Sequence, residues 1–553
     1  MEMTPFRRLV NLFQARFFEN DDVSPDGGFE TNVYQVMGFL AAPGFFITYL
    51  FMPALLEMAT KHQSPGTQSA LRIFRLFFPA FSFAVVGFAT FFEWDKLFPD
   101  RRDFLILGPF PIRLRTMFAA KIYTLAVFLL MLIGAINFFP NVFGPLLMLA
   151  IPAVHEAGYL RVVGSQVGST AGASLFAFFS VAALQGVLIN VTTPYVFRKI
   201  SPWIQMAGMC LMILALLLYP VCAMLLPAAM MTGARWVWLV PPVWFTGWYD
   251  LLLPPGNAFF LPLGWFALKA LGAVVALFCA SWALGFRRHY RRTLEAEDTE
   301  IRTPRASLFD RLSGSPEQSA IFRFTGRMLA RSATHRLFLA CYWSVGLAIG
   351  LLTAVVVSGG HVGLSEDGLR SLPLLIAFFV VSGFRAAFQF PAELSSNWLF
   401  RITEDRWAET SRRATRIRVL ASGLIPALVL FLPFEMAHWG LVAGAYHAAF
   451  QLATGAVLVE ILFWSFDKVP FTCSWFPGKV SLALLAGVYL YGFTEYGFRM
   501  ADLERLIENH PVYGFPFFAA AAVALVIFHR RRPRASAVRF DGNEPEIQSL
   551  NLT

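Results

Sequence analysis

Apolar residues in this chain come in long unbroken runs, not in the one-sided helical stripes or strict alternation of a water-exposed fold. A run of roughly 20 apolar residues is what a helix needs to cross a hydrocarbon core of about 30 Å. Read between charge clusters, the sequence predicts spans near 34 to 56, 74 to 93, 117 to 138, 168 to 190, 203 to 226 and 258 to 285. After a polar stretch it predicts six more, near 337 to 357, 371 to 391, 418 to 437, 440 to 463, 480 to 497 and 513 to 529. The expected fold is all-α: a polytopic integral membrane protein of about 12 transmembrane helices in two pseudo-repeated six-helix halves. The expected domains are an N-terminal transmembrane half over 1–286, a cytoplasmic linker over 287–335, a C-terminal half over 336–529 and a cytoplasmic tail over 530–553. The apolar piece from Asn141 to Pro152 is too short to cross and is expected to be re-entrant or interfacial.

Composition agrees with the pattern. Of 553 residues, 57% are hydrophobic and only 14% charged, and the mean hydropathy is +0.58. These values exclude a soluble enzyme. The net charge of +10 would suggest nucleic acid in a soluble chain, but here the basic residues lie between apolar runs, where they set topology. On alternate sides of the predicted spans, basic residues are divided roughly four to one, and the richer side holds both termini, the linker and the loops after spans two and eight. The expected location is therefore a bacterial-type inner (plasma) membrane, with both ends cytoplasmic. Met1 to Ser24 is polar, without the apolar stretch of a secretory signal, so the first span is expected to insert as an anchor. Five cysteines, Cys210, Cys222, Cys279, Cys341 and Cys473, show no CxxC spacing, which gives neither a disulfide framework nor a zinc site.

The two halves repeat an order of features. Each begins with an amphipathic helix suited to the bilayer interface. Over residues 5–18, Phe6, Leu9, Val10, Phe13 and Phe17 recur at helical spacing opposite Arg8 and Asn11; in the linker, Arg323, Arg327 and Arg331 form a stripe opposite Ile321, Phe324 and Met328. Each half also carries a polar loop of about 25 residues after its second span, where helix hairpins usually need two to eight. In the first loop, Asp100 is placed to cap a short helix through Leu107, Gly108-Pro109 ends it, and Pro111 starts the next. The second loop, Asn397 to Arg418, has similar charge but lacks the Gly-Pro-x-Pro break.

The string Leu107-Gly-Pro-Phe-Pro-Ile-Arg113 followed by Ala120-Lys121, set between spans two and three behind an interfacial helix, resembles the permease subunits of type 2 ATP-binding cassette exporters. In that family the loop forms a coupling helix that plugs into the ATPase, and a hydrophobic extracellular element lies between spans five and six. Here Trp236 to Tyr249 occupies that place, with four Trp suited to the headgroup zone. Two points depart from the pattern: family permeases usually carry one six-helix unit and dimerise, and the piece near 498 to 512 is shorter and more polar than its counterpart. The resemblance implies ATPase-coupling roles for Asp100, Arg101, Arg102, Asp103, Gly108, Pro109, Pro111, Arg113 and Lys121, and in the second half for Arg401, Glu404, Asp405, Arg406, Arg412 and Arg413. It implies ABC ATPase subunits as cytoplasmic partners, with no cofactor on this chain and ATP on the partner. The Walker fingerprint GxxxxGK[ST] is absent, and Phe476-Pro-Gly-Lys-Val-Ser481 lacks its glycine spacing.

Two other classes stay open. A secondary carrier of the major facilitator type also has twelve spans in two halves. Against it stand the long loops, the interfacial helices and the few ionisable residues inside spans, of which Lys269, Arg385 and Glu460 are the clear ones. Lys269 falls near mid-depth, a possible intramembrane polar site, whereas Arg385 and Glu460 lie nearer the cytoplasmic ends. A membrane-embedded enzyme is the second alternative, but His155-Glu156 falls short of HExxH and no metal or catalytic spacing follows from the nine histidines. Gly164, Gly168 and Gly172, four residues apart, read as a close helix contact, not as a ligand site.

The charge asymmetry makes a direct prediction. On a background without native cysteines, single cysteines at Asp103 and Asp405 should react with a membrane-impermeant maleimide only after cells are opened; labelling of intact cells would reverse the topology.

Overall fold

The computed structural model describes residues 5–18, 65–98, 110–149, 158–253, 257–295, 315–358, 361–390, 408–466, 468–472 and 491–530, with a few more between 37 and 57, at 107 and at 487 and 489. The chain divides into two compact units, Met1–Thr299 and Glu300–Thr553. Among the described residues, ten helices are long and apolar enough to cross a membrane, five in each unit. The protein is thus a helical, multi-pass membrane protein. Expected spans 34 to 56 and 480 to 497 are described only in part.

In unit 1 the helices are α1 (Pro5–Phe18), α2 (Pro65–Phe92), α3 (Trp94–Leu97), α4 (Leu114–Leu149), α5 (Tyr159–Val191), α6 (Pro194–Leu217), α7 (Tyr219–Thr232), α8 (Pro241–Leu252) and α9 (Phe260–Glu295). Three expectations need correction. The piece from Asn141 is no separate re-entrant segment: through Leu149 it continues α4, with Pro140 and Pro145 inside the helix. A proline withdraws the hydrogen bond to the carbonyl four residues back, and at Ile136 that carbonyl is covered by Gly44, where a Cβ would lie 2.6 Å from the oxygen. Pro111 does not open α4; Arg113 does, its carbonyl accepting from the Thr116 amide at 2.8 Å. The expected span 203 to 226 is broken at Leu218, where α6 ends and Pro220 begins α7.

The amphipathic helix α1 buries Leu9, Val10 and Phe13 against Met117 and Ala120 at the start of α4, while Arg8 and Asn11 stay exposed. The other buried layer centres on α8, which packs against α2, α5 and α9. Of the glycine triplet on α5, Gly168 and Gly172 lie against the Trp248 and Phe245 rings of α8, whereas Gly164 faces open space. The close contact is therefore with this inserted short helix. Two of the four tryptophans expected at the headgroups turn inward for the same reason: the Trp244 and Trp248 indoles donate to the Val237 and Gly264 carbonyls at 3.1 and 3.2 Å. Gly247 of α8 and Gly264 of α9 meet backbone to backbone, a Cβ on Gly247 falling 2.4 Å from the Gly264 nitrogen.

Unit 2 contains α10 (Pro316–Arg331), α11 (Ala333–Ala354), a hairpin of β1 (Val355–Ser358) and β2 (His361–Leu364), α12 (Glu366–Ala387), α13 (Ala408–Val419), α14 (Ile425–Trp439), α15 (Leu441–Leu462), α16 (Met500–Asn509) and α17 (Gly514–Arg530). The two-stranded hairpin, register Val355↔Leu364 to Ser358↔His361, departs from an all-α expectation; three consecutive valines favour extended backbone once α11 has ended. Helix α13 runs into α14 through a π turn at Leu420–Leu424. The core gathers Phe378, Phe384 and Phe388 of α12 with Phe463, Phe466 and Phe471. The second amphipathic helix, α10, docks as α1 does: Ile321 and Phe322 pack on Ala414 of α13, with Arg323, Arg327 and Arg331 exposed.

Gly247→Ala should cost about 1 to 3 kcal/mol through overpacking against α9, whereas Gly164→Ala, with open space around it, should change stability by no more than about 0.5 kcal/mol. Thermal unfolding in detergent distinguishes the two.

Candidate functional site

In unit 2, α14 and α15 meet at Gly440, whose φ of 86° closes a tight antiparallel turn. Glu435 precedes the turn by five residues and His447 follows it by seven, so the hairpin brings both to one level. Helix α16 then lays Glu504 against them. All three are essentially sealed from solvent, as is Gln451 one turn below His447. His447 Nδ1 lies 2.5 Å from Glu504 Oε1, its Nε2 lies 3.7 Å from Glu435 Oε1, and the Gln451 amide donates to Glu435 Oε1 at 2.9 Å. The Trp439 ring closes the cluster edge-on, 4.8 Å from the imidazole. Four buried polar atoms are left without a hydrogen-bond partner: Glu435 Oε2, His447 Nε2, Gln451 Oε1 and Glu504 Oε2. An unfilled buried polar atom costs about 1 to 3 kcal/mol, so four in one cluster mark a site with a task beyond holding helices together.

Beside the cluster opens a cavity of about 740 Å³ lined by Arg370, Trp439, Tyr446, Ile507 and Glu508 among others. Its polar wall is the Arg370–Glu508 ion pair, with the Arg370 guanidinium 5.6 Å over the Trp439 ring. Outside it, Arg505 pairs with Asp367 at 2.9 Å, and Glu366 accepts from the Trp439 indole at 3.1 Å and meets His438 Nε2 at 3.1 Å. Burial raises the Glu504 carboxyl above its ordinary value; His447 opposes that rise and Glu508 adds to it. Among the described residues, no group of three or more His, Cys, Asp or Glu is arranged to hold a metal ion.

Unit 1 has a polar seam of its own between α4 and α5. Asn137 joins Ser82 and Ser174, Thr170 donates to Asn141 at 3.0 Å, and the Tyr249 hydroxyl of α8 donates to Gln166. The Arg75 guanidinium of α2 stands 5.4 Å over the Tyr249 ring. Both units therefore set an arginine of a long helix, α2 in unit 1 and α12 in unit 2, against an aromatic ring. Each also aims at that arginine a carboxylate from the short helix before the last span, Asp250 in unit 1 and Glu508 in unit 2. At Asp250 burial raises the carboxyl, with the Asn257 amide, Arg75 and Arg72 pulling it back.

Of the residues expected to couple to an ATPase, Asp100, Arg101, Arg102, Asp103, Gly108, Pro109, Arg401, Glu404, Asp405 and Arg406 lie outside the described residues. Pro111 and Arg113 are exposed ahead of α4; Lys121 is buried, its ammonium 4.9 Å over the Phe13 ring. Arg413 is exposed on α13 and Arg412 is half-buried beside it. Lys269 lies on the exposed face of α9. Arg385 donates to the Leu462 carbonyl, and Glu460 pairs with Arg416 at 3.4 Å. Sequence reasoning missed Glu435, His447, Gln451 and Glu504. The available signal was the near-equal spacing of Glu435 and His447 about a helix-breaking glycine, together with the amphipathic pattern of 500–509. In comparisons with known proteins, the chain matches no family model, no curated protein and no solved structure.

The raised Glu504 carboxyl has a definite pH consequence. A fold that binds this proton more tightly than the unfolded chain gains stability fully below the ordinary value of 4.5 and loses it as pH rises through the higher folded value. Glu504→Gln should flatten that part of the stability profile, measured as the unfolding midpoint from pH 4 upward against the wild type; parallel profiles would remove the assignment.

Proposed function

We propose that this protein is the membrane permease subunit of an ATP-driven exporter whose ATPase is a separate chain, located in a bacterial-type inner membrane with both termini cytoplasmic. One observation carries the reading. Each unit seats an amphipathic helix on the first turns of a long helix, α4 in unit 1 and the one begun by α13 in unit 2, with the same chemistry at the contact. In unit 1, Lys121 lies over the Phe13 ring; in unit 2, Arg418 lies 3.5 Å over the Phe322 ring and donates to the Phe322 carbonyl. A cation held over an aromatic face away from water contributes on the order of 2 kcal/mol, which makes each junction stiff. Residues 99–109 and 391–407 join the chain beside these junctions, so a push on either loop would be delivered into a rigid base. The resemblance around Leu107 to Lys121 supports the same reading.

A second reading, a secondary carrier coupled to protons, is favoured by the Glu435, His447 and Glu504 cluster, because carboxylates and histidines inside a bundle are how a membrane protein relays protons. The two differ in their fuel.

Replacing Asp100 to Asp103 by alanine should leave membrane insertion and thermal stability unchanged, and should reduce nucleotide-dependent transport at least tenfold in vesicles containing the partner ATPase. Transport that keeps its rate in this variant and collapses when the proton gradient is dissipated would establish the second reading instead.

A further inference from the structure

The buried cluster in unit 2 contains two carboxyls and one imidazole, and its hydrogen-bond pattern is incomplete in a specific way. Glu435 and Gln451 meet as an acid and an amide: the amide nitrogen donates to Glu435 Oε1 at 2.9 Å, while the second carboxyl oxygen, Glu435 Oε2, and the amide oxygen, Gln451 Oε1, have no partner. Two oxygens are both acceptors, and only a proton on one makes them a pair. Electrostatics asks for the same proton. With the single ring proton of His447 on Nδ1, directed at Glu504, that pair already carries one negative charge, and a bare Glu435 carboxylate would add a second in a sealed site, a state that proteins avoid by neutralisation. The cations nearest the cluster are already engaged: Arg370 pairs with Glu508, and Arg505 with Asp367. Of the other groups turned towards it, Tyr446 and Gln451 are neutral, and His438 is held by Glu366.

We propose that Glu435 is a proton-binding site, held as the neutral acid in a two-point pair with Gln451. In this arrangement Glu435 Oε2–H donates to Gln451 Oε1 while the amide donates back to Oε1. The exchange route is short. Deprotonation breaks the Oε2–H bond and leaves the electron pair on the carboxylate; the proton passes to His447 Nε2, unfilled and 3.7 Å from Glu435 Oε1. The Nδ1 proton then passes to Glu504 Oε1 at 2.5 Å. The Glu504 carboxyl then turns to carry the proton on the unfilled Oε2 and releases it towards Glu508, one turn along α16 and in the lining of the cavity. The net change is one proton moved from Glu435 to the cavity, with His447 returned to its starting charge. The site holds for either fuel discussed above, since it concerns proton binding and not what drives transport.

Infrared difference spectroscopy on the full-length protein in lipid nanodiscs reads this directly, because an un-ionised carboxyl has a C=O stretch that an ionised one lacks and that shifts in D2O. The expected result is such a band at neutral pH in the wild type, lost in Glu435→Gln and retained in Gln451→Leu at higher frequency, since its hydrogen-bonded partner is gone. Because glutamine keeps the shape of the neutral acid, Glu435→Gln should also unfold within a few degrees of the wild type. A wild-type spectrum without the band overturns the proposal, as does a band that survives Glu435→Gln. If Glu435→Gln does not fold, the Gln451→Leu spectrum decides alone: an unmoved band overturns the pairing.

Discussion

A polar group inside a bilayer has no water to fall back on, so whatever it needs must be supplied by the protein around it. That constraint explains most of what is unusual in this structure. Helices α5 and α8 approach closely because glycine at 168 and 172 leaves room for aromatic rings whose own N–H groups must reach protein carbonyls. The Ser, Thr and Asn side chains of the α4–α5 seam bond to one another or to carbonyls three and four residues back. The requirement is left partly unmet at buried polar atoms in both units, and four of them, on Glu435, His447, Gln451 and Glu504, fall in one cluster next to a cavity.

The same logic governs the two amphipathic helices. Each has one apolar face too small to insert and one charged face that cannot be buried, so it lies at a boundary and its position is set by what the apolar face finds. In both units that is the beginning of a long helix, and in both a basic residue from that helix covers the aromatic ring that anchors the contact. The same junction chemistry thus gives each unit, taken by itself, a stiff base under its amphipathic helix.

Divergence between the units is chemical more than architectural. The short helix ahead of the last span is apolar and inserted in unit 1, as α8, and strongly amphipathic in unit 2, as α16. The first contributes Tyr249 and Asp250 to an arginine; the second contributes Glu508 to an arginine and, in addition, Glu504 to the buried triad.

The membrane class, the positions of ten long helices, the exposed stripe of Arg323, Arg327 and Arg331 and the buried face of α1 were all legible from the sequence. Each follows from local periodicity and from the length that hydrocarbon imposes. Breaks and continuations were not: the span expected to end near 138 and the separate piece expected from Asn141 are one helix, α4, which passes through Pro140 and Pro145, with Gly44 covering the Ile136 carbonyl that Pro140 frees. Lys121, read as a charge in a cytoplasmic loop, lies under Phe13, since only the docking of α1 decides which way that side chain turns. The buried triad needed three segments spread over about 70 residues to converge. Glu435 and His447 stand near the ends of apolar runs and Glu504 lies in a polar stretch, so no window of sequence contains the site. Hydropathy fixes which residues enter the membrane, and the packing of helices against one another fixes which of the polar ones meet.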